Sequence, residues 1–278
     1  VTLPAWCDDG PVVADARTIS ALDAGLRSGI GVFETLRAHG TRTLAADRHV
    51  TRLVVGARRL AIPVDTAHVT AALAATLALP REVDEVAVRL TVTAGAVADD
   101  AWPPAPRDAP RLLITLHPAP ALPLPAVGAA TVGARRWPAD VKSTSYLASV
   151  LAQRDAQAAG ADVGVLVDGE ELLESAEGNL LVLADGTLTT PPDDGRLLPG
   201  VTRDLVLEAA EQRSIRIRRS EVRREDLVAA DAVLLTSAVS GLRTVHTFDG
   251  AHVRGSDRDG DPHPSITVLR AALEAQRG

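Results

Sequence analysis

Hydrophobic and polar positions recur with two different periods along the chain, and the change of period sorts its segments. Val50, Leu53, Val54, Ala57 and Leu60 fall at helical spacing and predict an amphipathic helix over roughly 48–61, with Asp47 as its N-cap. A second stripe predicts a helix over 66–78, ended by Pro80. Strands read as two-residue alternation or as β-branched runs. They are expected behind Gly29-Ile30-Gly31 up to Arg37, then at 86–93, 111–117, 128–134, 163–168, 171–174, 179–183, 187–190 and 232–236. The glycines before Val32 let the backbone approach something closely. His39-Gly40-Thr41 reads as a hairpin turn, and Ile215 and Ile217 alternate with arginines as an edge strand does. Residues 1–28 read as a short strand region, a turn at Asp8-Asp9-Gly10 and a loop. Further helices are expected from a cap at Ser143, Thr144 or Ser145 to Ala159, from Gly200-Val201-Thr202 onward, at 225–230 and at 265–275.

The alternating prolines of 118–125 favour extended polyproline geometry and mark the clearest boundary. The reading is therefore an α/β (α+β) protein of two domains. Residues 1–119 form the smaller one, 120–127 the proline-rich segment and 128–278 the larger one. A chain of 278 residues is long enough for two cores.

A net charge of −7 argues against nucleic acid or an anionic membrane as partner. The single cysteine, Cys7, excludes an internal disulfide and a cysteine-based metal site. With no apolar run long enough to span a bilayer, the expectation is a soluble, cytoplasmic protein. Asp257-Arg258-Asp259-Gly260-Asp261 lacks the ligand pattern and closing glutamate of a calcium loop, so no metal is expected.

Lys142 is the only lysine among 29 basic residues, and Tyr146 the only tyrosine. Arginine replaces lysine wherever a solvated positive charge suffices, but its guanidinium does not give up a proton. A desolvated lysine is a nucleophile and base that condenses with carbonyls. Four weaker features point the same way. Gly200-Val201-Thr202 opens a helix whose free amides and positive end suit a phosphate. Ser237, three residues before Ser240, follows an apolar strand, and Arg52 offers a fork of donors on an early helix. Glu174, after Leu172-Leu173, is a carboxylate able to keep a ring nitrogen protonated. Each alone has a plain structural explanation; together they describe a site for pyridoxal 5'-phosphate, with one amine, one carboxylate and several phosphate donors.

Most of these residues lie in recognisable segments: the chain carries GIGVFETLR at 29–37, His49–Arg52 with Leu53, the segment KSTSYLASVLAQRDAQAAGAD beginning at Lys142, ESAEGNLLV at 174–182 and LLPGVTRDLVLEAA at 197–210. In that order the segments resemble the class IV aminotransferase family, the fold type IV pyridoxal-phosphate enzymes. The resemblance implies two α/β domains with the cofactor in the cleft between them, a small-molecule substrate and a homodimer. It implies that Lys142 is the Schiff-base lysine and that Glu174 partners the pyridine nitrogen. By the same resemblance Arg52, Val201, Thr202 and Ser237 hold the phosphate, Tyr146 stands by the phenolic oxygen, and Phe33 and Arg37 face the substrate. Ala94 departs from the family's frequent carboxylate-gripping arginine, Ala238 from a frequent phosphate-binding hydroxyl and Thr244 from a frequent proline. The compact length and the stretch Thr236–Arg243 favour an aminodeoxychorismate lyase, releasing pyruvate and 4-aminobenzoate. A branched-chain or D-amino-acid aminotransferase is the alternative.

Overall fold

The structure is a computed structural model and describes residues 3–13, 18–98, 102–104, 108–254 and 263–276. Contacts divide the chain into two compact units: Val1–Ala119 with Val141–Ser145, and Pro120–Asp140 with Tyr146–Gly278.

The first unit contains β1 (Pro4–Cys7), β2 (Gly10–Val13), α1 (Ala24–Ser28), β3 (Gly31–His39), β4 (Arg42–Thr43), α2 (Ala46–Arg59), α3 (Thr66–Leu77), β5 (Glu85–Thr93) and β6 (Arg111–Pro118). Its strands form an antiparallel sheet in the order β2-β1-β6-β5-β3-β4. The alternation read from the sequence has a direct structural counterpart. Val86, Val88, Leu90 and Val92 of β5 share one core with Leu53, Val54 and Ala57 of α2 and Val69 and Leu73 of α3. Each of these valine and leucine side chains contributes roughly 1.5–3 kcal/mol by leaving water. Glu34 stands opposite Leu90 in the register, so it points to the helix side of the sheet. Phe33 (opposite Thr91), Arg37 and Arg89 (opposite Thr35) project from the other face.

The second unit contains β7 (Val127–Val132), α4 (Leu147–Ala158), β8 (Val163–Asp168), β9 (Glu171–Ser175), β10 (Asn179–Ala184), β11 (Thr187–Thr190), α5 (Val201–Glu211), β12 (Arg216–Arg219), β13 (Val222–Arg223), α6 (Arg224–Val228), β14 (Ala232–Ser237), β15 (Gly241–Phe248), β16 (Ala251–His252) and α7 (Pro264–Ala275). Its mixed sheet runs β12-β11-β10-β14-β15-β7-β8-β9-β13, with β16 on β15. A further pairing of Asn179 with Glu174 joins β10 to β9, so β10-β14-β15-β7-β8-β9 close into a ring of pairings. Val127, Val165, Leu172, Leu180, Val233 and Val245, one from each ring strand, belong to a single apolar cluster. Ala152 and Ala156 of α4 pack on Ala130, Val132 and Leu166.

Several expectations need correction. Asp47 is not the cap of α2: Ala45, at φ 52°, holds that place without a side-chain bond, and Asp47 lies in the first turn. There its charge still suits the positive helix end. The Ser143–Ser145 caps fail as well. The helix α4 starts at Leu147 with Tyr146 before it, because the preceding residues are drawn into extended pairing with β3. The short α1, capped by Asp23, and the central strand β15 were not anticipated. In β15, Arg243, Thr244 and His246 interrupt the apolar pattern. No helix among the described residues is long and apolar enough to cross a membrane, and none of their His, Cys, Asp and Glu residues cluster as a metal site would require. The acidic stretch Asp257–Asp261 lies outside the described residues.

Candidate active site

Two sets of candidate residues emerge, one in each unit. In the first unit the two-residue β4 pairs only with Ala38 and His39, which leaves the edge of β3 at Gly31–Phe33 to another partner. The lysine segment takes it. Phe33 N–H donates to Lys142 O at 2.8 Å, Thr144 N–H donates to Gly31 O at 2.9 Å, and Val32 bridges Ser143. The Thr144 and Ser145 hydroxyls both donate to Gly29 O, at 3.0 and 3.2 Å. Here the glycines show their purpose. A Cβ on Gly31 would stand 2.9 Å from Thr144 Oγ1, and Gly29 holds φ +67° beside Ser145. Close backbone approach is what positions Lys142.

Lys142 Nζ lies 4.7 Å from the centroid of the Phe33 ring, and the Arg89 guanidinium lies 3.7 Å from the same centroid. Cations are drawn to the negative face of an aromatic ring, so Phe33 gathers two of them. The next residue, Glu34, points the other way and is fully buried. It accepts from Arg52 Nε at 2.6 Å and Arg52 Nη2 at 2.8 Å, while His49 Nδ1 stands 2.8 Å from its Oε2. Burial would raise the Glu34 pKa, but the Arg52 charge and the hydrogen bonds from His49 and Arg52 outweigh it and hold the carboxyl at about 2. Arg52 is thus half of a two-bonded ion pair. Arg37 is buried and bonded to Glu85 across the sheet at 2.8 Å.

In the second unit Glu174 is buried at the ring closure. Arg136 donates to its Oε1; Leu198 N–H and Asn179 Nδ2 donate to Oε2 at 3.2 and 3.4 Å. Asn179 Nδ2 also donates to Leu198 O at 2.8 Å, which ties the strand to the turn before α5. Gly200 is the N-cap of α5 and offers no side-chain cap; a Cβ there would run into Asn179 Oδ1. The buried Val201 and Thr202 begin the helix. Ser237 and Ser240 bond each other through their hydroxyls, and Ser240 N–H donates to Ser237 Oγ at 3.1 Å. Tyr146 OH donates to Ala176 O at 2.9 Å. Lys142 and Tyr146, four residues apart, thus fall in different units.

The sequence reading passed over Glu34, Arg89, Arg136 and Asn179. Glu34 had a visible signal, a carboxylate inside an apolar strand; Arg136 had none that sets it apart from its neighbour Arg135.

The sequence profile described as Amino-transferase class IV matches residues 31–248. A protein of Methanocaldococcus jannaschii provisionally named a branched-chain-amino-acid aminotransferase is 32% identical over 241 residues, covering 84% of this chain and 83% of its own. A D-alanine aminotransferase of Listeria innocua is 26% identical over 265 residues, or 90% and 89% of the two chains. Among solved structures, the branched-chain aminotransferase of the thermophilic archaeon Thermoproteus uzoniensis, crystallised with norvaline, superposes with a TM-score of 0.85 at 22% identity, covering 100% of this chain and 94% of the other. With the family's motifs in place on a fold of this kind, the chain belongs to the class IV aminotransferases and is a pyridoxal-phosphate-dependent enzyme.

Proposed function

We propose that the protein transfers the amino group of a branched-chain amino acid to a 2-oxo acid such as 2-oxoglutarate. The observation that carries this is the sole lysine amine, fixed to the edge of β3 by backbone bonds and set against Phe33. The named relatives are aminotransferases, and this moves the reading from the lyase to the transferase.

The residues present fit the cofactor. Lys142 supplies the amine for its aldehyde. Gly200 leaves the first amides of α5 without a side-chain acceptor, as a bound phosphate requires. Buried Glu174 is an acceptor suited to a protonated ring nitrogen. We assign Arg52, Val201, Thr202 and Ser237 to the phosphate and Tyr146 to the phenolic oxygen. When bound, pyridoxal phosphate supplies an electron sink for negative charge at the substrate α-carbon. Lys142 Nζ removes the α-proton and returns it across the C–N bond, a task that only a group able to exchange protons performs. Phe33 screens one side of that nitrogen from water. Ala94 is buried at the end of β5 and provides no cation. We assign the substrate carboxylate instead to Arg89, which stands on the Phe33 face with Arg37 beyond it. We also infer the homodimer, which rests on the family resemblance. Leu147, Val150 and Leu151 at i, i+3 and i+4 of α4 are 67%, 38% and 46% exposed, an apolar face suited to a second copy.

The test incubates holoenzyme with 2-oxoglutarate and either L-valine, L-leucine or D-alanine, and separately with aminodeoxychorismate and no acceptor. Glutamate formed from valine or leucine supports the proposal. Glutamate from D-alanine alone selects the other aminotransferase class, and 4-aminobenzoate without an acceptor restores the lyase.

A further inference from the structure

We propose that Glu34 is a positioning residue that fixes the plane of the Arg52 guanidinium toward the cofactor phosphate, with His49 bracing Glu34 from the same helix. The proposal rests on the assignment of Arg52 to the phosphate. A guanidinium on a helix has several rotamers, and each bond it makes must offset their loss. Glu34 removes that freedom before any ligand arrives. Its two oxygens engage Nε and Nη2 together, at 2.6 and 2.8 Å, and such paired contacts fix orientation as well as position. The remaining N–H groups of the five then point away from Glu34, along directions set by the carboxylate.

His49 and Arg52 lie three residues apart and so share one face of α2, which is turned to β3. His49 Nδ1 meets the same oxygen that Nη2 meets, at 2.8 Å, and keeps the carboxylate from swinging about its last bond. Glu34 is 0% exposed and His49 is 3% exposed, so water does not substitute for either contact. Burial opposes the charge on Glu34, yet the Arg52 charge and the two partners' hydrogen bonds keep it an anion. A neutral residue there would leave the Arg52 fork unanswered in a dry place. Phe33 and Glu34 are consecutive, so the strand that aligns the lysine amine on one face aligns the phosphate cation on the other.

The experiment measures affinity for pyridoxal phosphate and for pyridoxal, which bears the aldehyde without the phosphate, by titrating apoenzyme and following absorbance. Glu34→Gln lowers pyridoxal-phosphate affinity by about tenfold to about a hundredfold, as the loss of a charge-assisted contact implies, and leaves pyridoxal affinity unchanged. Arg52→Ala shows the same selective loss, and adding Glu34→Gln to it costs nothing more. Equal losses for the two ligands in Glu34→Gln would mean a merely structural residue and overturn the proposal, as would an unchanged ratio. If Arg52→Ala itself keeps full preference for the phosphorylated ligand, the phosphate assignment of Arg52 fails instead. Should Glu34→Gln not fold, Glu34→Asp carries the test, since it keeps the buried charge but is too short to reach both nitrogens.

Discussion

Replacing Gly31 with alanine puts one methyl group where the lysine segment meets the sheet, and its cost follows from what the methyl would touch. It would stand 2.9 Å from Val92 O and 2.9 Å from Thr144 Oγ1. Val92 lies in β5, paired on both sides by β3 and β6, so it does not yield. Thr144 yields instead. Its N–H bond to Gly31 O and its hydroxyl bond to Gly29 O, at 2.9 and 3.0 Å, stretch or break. At about 0.5–1.5 kcal/mol net for each bond, the loss is about 1–3 kcal/mol, the range also seen for overpacked sites. Unfolding followed by circular dichroism then moves down by roughly 2–10 °C. The sharper effect is on Lys142, two residues before Thr144. Its amine leaves the Phe33 ring, and the absorbance band of bound pyridoxal phosphate develops slowly and with weaker affinity. Gly40→Ala serves as the control. Gly40 holds φ +56° in a hairpin with nothing within 4 Å of a new Cβ, so it loses stability through backbone strain while binding the cofactor normally. A Gly31→Ala enzyme with wild-type melting and wild-type cofactor binding would refute the claim that this glycine seats the lysine.

Three further outcomes follow from the same geometry. The Glu34 pKa falls from 4.5 to about 2 on folding, so its stabilisation is complete above the unfolded value and is lost as pH drops through the folded one. That is roughly 3 kcal/mol, and Glu34→Gln should flatten the acid-unfolding curve between those limits; superimposable slopes would exclude the linkage. Gly200→Ala displaces the Asn179 amide from Leu198 O and Glu174, and should cost about 1–3 kcal/mol and weaken cofactor binding, as melting and absorbance titration would show. Leu151→Asp on the exposed face of α4 should convert a dimer to a monomer in light scattering; a wild-type monomer at micromolar concentration counts against the dimer altogether.

Much of the fold was legible because period-two burial in β5 and the helical stripe of α2 each carry their own buried face. The short α1 and the strand β15 were not. Five residues make no periodic stripe, and β15 buries Thr244 and His246 among its aliphatics. The site divides in the same way. Lys142 stood out chemically, since no other residue of the chain offers its chemistry. Its placement did not, because a serine and threonine run reads equally as a helix cap, and only the open edge of β3 decides otherwise. Partners such as Arg136 for Glu174 and Glu34 for Arg52 lie 38 and 18 residues apart, and a single sequence holds no local signal for such pairs.

The composition that singled out Lys142 also states how to separate its charge from its chemistry. Every other basic residue is arginine, and among the described residues the two buried ones answer carboxylates, Arg37 meeting Glu85 and Arg203 meeting Asp193 at 2.7 Å, as half-buried Arg136 answers Glu174. Arginine suits those posts because its fork is planar and permanently charged. Lys142→Arg should therefore keep what the lysine does for the fold. The bonds that seat the segment involve its backbone and the hydroxyls of Thr144 and Ser145, and a guanidinium rests on the Phe33 ring as readily as an ammonium does. Melting should stay within the equivalent of about 1 kcal/mol of wild type. The chemistry should vanish, since the guanidinium does not shed the proton needed to bond an aldehyde or to shuttle hydrogen at the substrate. No borohydride-stable adduct should form, and amino transfer should fall to background. If the arginine variant is unstable, the ammonium has a structural duty that Phe33 alone does not reveal. If it still turns over, the amine is not the group that makes the bond, and the site assigned to it is wrong.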